Sequence, residues 1–253
     1  MDLSSPVTRD LKGGEGHAYP LRLEAGEYVH VDVEQDGIDV AVALVAPDGK
    51  TVYEIDSPNG SKGLEPVYFI AEAAGEYRLD VRSLEQTSEP GRYHVRVVDR
   101  HPAGDRDRQR LVAVRLYLEG EALQFERRGE SYRAALEKYR SSRDAWRLVG
   151  EARGETQALA AVVDMQNLLG MYAEARADGV ALLELARSTG EREDLALAYN
   201  LLTLVTLNQG DIPKAIEYGT LGVAATKATG NITNTGAIVH NLGRANVLYG
   251  DIR

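Results

Sequence analysis

Residues able to do metal or acid–base chemistry are thinly spread in this chain. Its histidines are His17, His30, His94, His101 and His240. None stands four residues from another, the spacing that aims two imidazoles at one zinc from a helix face. The 253 residues contain no cysteine, which excludes a thiolate metal site, a disulfide scaffold and a cysteine nucleophile. Asp36, Asp39, Asp48 and Asp56 are the densest carboxylate group, and calcium takes about six or more oxygen ligands. Their spacing is not that of an EF-hand, and aspartates between strands are common turn formers, so turn chemistry is expected of them. Gly13-Gly14-Glu15-Gly16 lacks the Lys and Ser/Thr of a phosphate loop and reads as a flexible loop before a strand. Neither a Gly-x-Ser-x-Gly elbow nor a His-Glu-x-x-His helix occurs. No catalytic, metal or cofactor-binding residue is assigned, and this chain is expected not to be an enzyme. Asn59-Gly60-Ser61 and Asn231-Ile232-Thr233 match the glycosylation sequon and read as chance matches.

Charge narrows the partners. The chain carries 29 Lys+Arg against 39 Asp+Glu, a net of -10, which argues against electrostatic binding to nucleic acid or an anionic membrane. The excess is local: residues 1–100 hold 10 basic and 19 acidic residues, whereas 101–253 hold 19 and 20. Arg106, Arg108 and Arg110 make a basic opening to the second part, followed by Arg127, Arg128, Arg133, Arg140, Arg143 and Arg147. Interleaved Asp105 and Asp107, with Glu119, Glu121, Glu126, Glu130 and Glu137, make a solvated ion-pair surface the expectation there. The start of the chain has no basic segment leading into an apolar run, and no apolar run approaches about 18 residues, so a cytoplasmic protein without membrane contact is expected.

Texture changes where the charge does, at His101-Pro102-Ala103-Gly104, and divides the chain into domains 1–100 and 101–253. The first is rich in Val, Tyr and Gly. In Glu27-Tyr28-Val29-His30-Val31-Asp32-Val33 the valines alternate cleanly, placing Val29, Val31 and Val33 inward and His30 and Asp32 outward. Further strands are expected at 17–23, 39–45, 51–55, 67–71, 77–81 and 93–98, with His94 on the last facing solvent. Seven short strands punctuated by turns point to a β-sandwich. Ala25-Gly26-Glu27-Tyr28 recurs as Ala74-Gly75-Glu76-Tyr77, and partly as Pro90-Gly91-Arg92-Tyr93. Each copy sets Gly at a turn and Tyr early in a strand, offering its hydroxyl to a neighbouring loop. With Asp39-Val40, Leu44 and Pro47-Asp48-Gly49, these phrases resemble the bacterial pre-peptidase C-terminal type of domain over roughly residues 8–98. That likeness implies a jelly-roll-like accessory module of a kind of which some bind calcium; the alternative function is a calcium- or carbohydrate-binding targeting module on a helical scaffold.

The second part is organised by glycine. Gly170, Gly210 and Gly250 are spaced by 40, Gly129 precedes them by 41, and Gly150, Gly190 and Gly230 form a second series. A fixed period of this size is the mark of a helical solenoid, and helices are expected at 105–127, 131–148, 155–169, 173–188, 193–208, 212–228 and 233–248. A small residue recurs five positions after the first-series glycines, at Ala134, Ala175 and Ala215, and should let helices approach closely. Asp211 should N-cap the helix that Pro213 opens. Asn200-Leu201-Leu202 with Gly210-Asp211-Ile212-Pro213-Lys214-Ala215, and Asn241-Leu242-Gly243 with Gly250-Asp251-Ile252, resemble the tetratricopeptide repeat in a long form. Such solenoids bind protein or peptide on their concave face. Aligned on the glycines, that face carries Gln157, Asp164 and Asn167, then Asn200, Leu204 and Asn208, then His240 and Arg244. Amides and arginine suit peptide backbone and carboxylates, and Leu204 is expected to be exposed among them.

The fold class expected is therefore β then α: a jelly-roll-like sandwich followed by a tetratricopeptide-type solenoid with a 40-residue period. This order resembles the N-terminal region of bacterial proteins ending in a caspase-like CHAT peptidase domain. The likeness implies a non-catalytic interaction and regulatory region. The last repeat breaks off at Arg253, so a longer protein is expected. No cofactor is expected.

Overall fold

The computed structural model describes residues 3, 5–56, 60–226 and 232–251. Asn59 and Asn231 of the two sequons, and Ile252 and Arg253 at the end of the last repeat, lie outside the described residues. The chain forms two compact units, Met1–Leu111 and Val112–Arg253, with β-strands in the first and helices in the second.

In the first unit the strands are β1 (Val7–Leu11), β2 (Gly16–Leu23), β3 (Glu27–Asp36), β4 (Val40–Val45), β5 (Thr51–Ile55), β6 (Lys62–Ile70), β7 (Gly75–Ser83) and β8 (Gly91–Pro102). They make two four-stranded sheets, β1-β8-β3-β6 and β2-β7-β4-β5. All pairs are antiparallel, and the first strand pairs the eighth, the second the seventh, the third the sixth and the fourth the fifth. That nesting is the jelly-roll arrangement of a two-sheet sandwich. The alternation read from the sequence is obeyed: Val29, Val31 and Val33 on β3, Leu79 and Val81 on β7 and Tyr93 and Val95 on β8 join one buried core. The apolar run of β4 is buried throughout. Two polar residues enter that interior without loss, because Gln35 accepts from the Val40 N–H (2.8 Å) and donates to the Gly60 carbonyl (2.6 Å) and to the buried Glu65 (3.3 Å).

Three expectations change. An eighth strand, β1, lies at the edge, where only Val7 and Leu11 of its five residues are buried, too sparse a pattern to read. Asp32 is buried and His30 and His94 are half-buried, so the second face of this sheet is covered where solvent was expected. The loop at Gly13-Gly14 is pinned, its amides donating to the Ser88 and Glu85 carbonyls at 3.2 and 3.0 Å.

Helix α1 (Asp105–Phe125) begins in the first unit, and α2 (Gly129–Val149), α3 (Ala152–Leu168), α4 (Tyr172–Thr189), α5 (Arg192–Gln209), α6 (Ile212–Thr226) and α7 (Ile232–Asp251) follow. Left-handed glycines end α2, α4 and α5 at Gly150, Gly190 and Gly210, a conformation a Cβ would disfavour. The Asp211 carboxylate accepts from the Lys214 N–H at 3.3 Å, the cap expected ahead of Pro213. Ala135, Ala175 and Ala215 are fully buried, and Ala134 is exposed. Counting from Gly129 therefore misplaces the first small residue by one, since that glycine is one step out of register. Close helix contact is also made by Gly179 on α4, where a Cβ would sit 2.8 Å from Leu202, and by Gly219 on α6, where it would sit 3.1 Å from Leu242. Among the described residues no helix is long and apolar enough to cross a membrane.

Candidate functional site

Helices α3, α5 and α7 share one face of the second unit, and two amide–amide hydrogen bonds join them. Asn208 Nδ2 on α5 donates to Asn167 Oδ1 on α3 at 2.9 Å, and Asn241 Nδ2 on α7 donates to Asn200 Oδ1 on α5 at 3.0 Å. The sequence spacing is the same in both, 41 residues. Each rung has one buried member, Asn167 or Asn241, whose amide would be unpaired without the other. Beside the rungs runs a stripe produced by helical spacing: Gln157, Asp164, Asn200 and Leu204 are half-buried, and Asn208, His240 and Arg244 are exposed. Directly behind this stripe Met165, Val205 and Ala245 are fully buried, which fixes its orientation.

Seven of the eight residues expected on a binding face thus line one strip. Asn167 departs from the expectation: it is buried and its carbonyl is taken by Asn208, so it supports the strip from beneath. Leu204 is half-buried, where exposure was expected. Asn241 was missed as a site residue, although its distance of 41 from Asn200 repeats that from Asn167 to Asn208 and was the available signal.

The electrostatics are uneven. Burial pushes the Asp164 carboxyl above its ordinary range, and it has no ion pair or hydrogen bond among the described residues. Burial, and then Glu121 and Asp164, raise the Tyr139 phenol, which donates to Gln124 Oε1 at 2.7 Å and packs its ring 5.3 Å from Tyr117. Asp194, near the start of α5, is pushed up to about 6 by burial and by Glu191 and Glu193, with Arg153 opposing. At the α7 end, His240 and Arg244 have no ion pair among the described residues.

A second polar cluster, unforeseen in the sequence, lies in the first unit. The Arg110 guanidinium sits 5.3 Å over the Tyr28 ring and 5.6 Å over that of Tyr68, and its Nη1 donates to Tyr28 Oη at 2.7 Å. The same nitrogen is 3.2 Å from Asp107 Oδ1, and Asp107 Oδ2 accepts from the Gly104 N–H at 2.9 Å and meets His101 Nε2 at 2.9 Å. Asp107 and Asp99 raise the His101 imidazole. Against its burial, the Gly104 N–H, His101 and Arg110 hold Asp107 below the usual carboxylate range. Alongside, His30 stacks on Tyr68 at 4.4 Å, and His30 and Arg96 both bond Asp32 at 2.9 Å. Arg110 is thus a seating residue for the start of α1 and not part of a solvated basic surface. Each of these groups has a partner inside the unit, so the arrangement holds structure.

The four aspartates weighed for calcium do not form one group. Asp36 pairs with Lys62 at 3.7 Å and Asp48 with Lys50 at 2.9 Å. Asp39 and Asp56 lie near each other, both raised, chiefly by burial. Among the described residues no three His, Asp or Glu side chains are placed to hold a metal ion.

No protein-family model matches the chain, and no curated protein matches it. Several solved structures are similar over its N-terminal part. The pre-peptidase C-terminal domain of collagenase from Bacillus anthracis is 18% identical, with a TM-score of 0.31, over 38% of this chain and 90% of that one. A periplasmic lysozyme inhibitor from Aeromonas hydrophila, PliG, is 16% identical, with a TM-score of 0.30, over 37% and 84%. A carbohydrate-binding module of a Cellvibrio mixtus lichenase is 13% identical, with a TM-score of 0.25, over 39% and 89%. At these values the likenesses carry no functional argument.

Proposed function

We propose that this chain is a non-catalytic interaction and regulatory region that binds a segment of a partner protein along the face shared by α3, α5 and α7. The observation that carries this reading is the pair of asparagine rungs. An amide has two donors and two acceptor positions, and each rung uses one of each kind. Asn200 and Asn208 therefore keep N–H or C=O capacity toward the open side, at fixed positions, which suits an extended peptide backbone. The strip's other residues are half-buried or exposed, so a segment laid there can contact their side chains.

We read the helices as a tetratricopeptide-type solenoid with a 40-residue period and this strip as its concave face. Three kinds of equivalence support the period. Ala135, Ala175 and Ala215 are buried alike, as are Ala158, Ala198 and Ile238. The contacts of Gly179 with Leu202 and of Gly219 with Leu242 correspond. The αL glycines at 150, 170, 190 and 210 alternate at equal steps. The resemblance to the front of CHAT-domain proteins would make such a region the sensing or restraining part of a larger bacterial protein.

Selection from a displayed library of random linear peptides tests the binding face. Wild-type chain should enrich peptides that compete with one another, and the Asn200→Ala/Asn208→Ala variant, shown by circular dichroism to be helical, should lose them. Enriched peptides that bind the variant with undiminished affinity would refute the reading.

A further inference from the structure

The binding strip has a polarity. Asp164 on α3, Leu204 on α5 and Arg244 on α7 hold the same position in successive odd helices, since their C-terminal neighbours Met165, Val205 and Ala245 are all fully buried. Acid, leucine and arginine therefore stand in one row, with His240 one turn from Arg244 on the same face. Leu204 separates the two charged ends, so Asp164 and Arg244 do not satisfy each other. Neither has an ion pair or hydrogen bond among the described residues. A half-buried carboxylate without a cation has lost solvation, and a ligand cation would offset that loss.

We propose that the strip takes an extended internal segment of a partner protein that carries a basic side chain and an acidic side chain about five or six residues apart. The basic group would pair with Asp164, the acidic group with Arg244 and His240, and an apolar residue between them with Leu204. The spacing follows from geometry: packed helices lie about 8–10 Å apart, two such steps span about 16–20 Å, and an extended chain advances about 3.3 Å per residue. Unlike charges at the two ends also fix the direction in which a given segment lies, because turning it end for end would set like charge against like. This inference rests on the binding face proposed above and adds the chemistry and direction of its occupant.

The test uses the whole chain and three fluorescein-labelled peptides, capped at both ends so that only side chains are charged. The first is Lys-Ala-Ser-Leu-Ser-Ala-Glu, the second its reversed sequence, and the third the same composition with Lys and Glu adjacent at one end. Fluorescence anisotropy should show each of the first two, which can lie in opposite directions along the strip, binding about tenfold more tightly than the third. Asp164→Asn and Arg244→Gln should each weaken those two peptides by about tenfold. The exchange Asp164→Lys/Arg244→Asp, which preserves net charge, should keep the preference for both over the third. Equal affinity for all three peptides, or binding by none of them at about 1 mM, overturns the proposal. If all three bind equally and Asn200→Ala/Asn208→Ala abolishes that binding, the face stands as a peptide site and the inferred polarity fails.

Discussion

Asp194 shows how one side chain can set a pH dependence. Its carboxyl is pushed up to about 6 by burial and by Glu191 and Glu193. A raised carboxylate pKa means that the folded chain holds more protons than the unfolded one between about pH 4 and pH 6, so stability falls as pH rises through that window. Above it the folded state bears a charge it would rather lack. Asp194→Asn should therefore stabilise the chain by about 1–2 kcal/mol at pH 7, after allowing for solvent screening and the lost helix-start charge, and by nothing at pH 4. Urea denaturation at the two pH values measures this; an equal effect at both would refute the burial account. The rungs make a second residue-scale case. Asn208→Ala leaves the buried Asn167 carbonyl without its donor, at a cost of about 1–3 kcal/mol, whereas adding Asn167→Ala removes the orphan. The double variant should lose less than the sum of the singles, by at least about 0.5 kcal/mol in a mutant cycle.

Elements explain why the same substitution can act in opposite senses. Gly154 on α3 packs under the Trp146 ring of α2, and a Cβ there would overlap the indole. A buried ring cannot swing away as a flexible side-chain tip would, so Gly154→Ala should destabilise the chain by about 1–3 kcal/mol. Gly243, exposed on α7, has nothing within 4 Å of a built Cβ. Gly243→Ala should stabilise by up to about 1 kcal/mol through helix propensity alone. Thermal unfolding followed at 222 nm reads both signs. Much of this level was legible in the sequence, because glycine spacing marks helix ends and alternation marks strands. What was not legible came from neighbours distant in the chain. Edge strand β1 buries only its two terminal residues, so its pattern carries no period. Asp32 reads as outward-facing in its own strand, yet Arg96 from β8 and His30 cover it. The rungs leave only their common spacing of 41 residues in the sequence, because amide pairing depends on which helices touch.

At the scale of the whole molecule, the change in composition falls at residues 100–101 and the change in compactness at Leu111–Val112. Chemistry accounts for the eleven residues between. Composition registers where strand-forming residues stop. Contact registers that the first two turns of α1 are bound to the sheet through Asp107 and Arg110, which seat the helix start on the Tyr28 and Tyr68 rings. Tyr28 is fully buried in consequence, on a sheet face that a strand pattern alone assigns to solvent. A fragment of residues 1–111 should keep this cover and one of residues 1–102 should lose it. The longer fragment gains burial of aromatic surface and a charge-assisted hydrogen bond, and pays for ordering a short helix that frays at its cut end. The balance should favour it by about 1–2 kcal/mol. In the longer fragment Arg110→Ala should remove most of that gain, since the guanidinium makes both the stacking and the bond to Tyr28. Melting temperatures of the two fragments and the variant decide the matter. If residues 1–102 melt at the same temperature as residues 1–111, the helix start is a bystander and the sandwich ends where the composition changes.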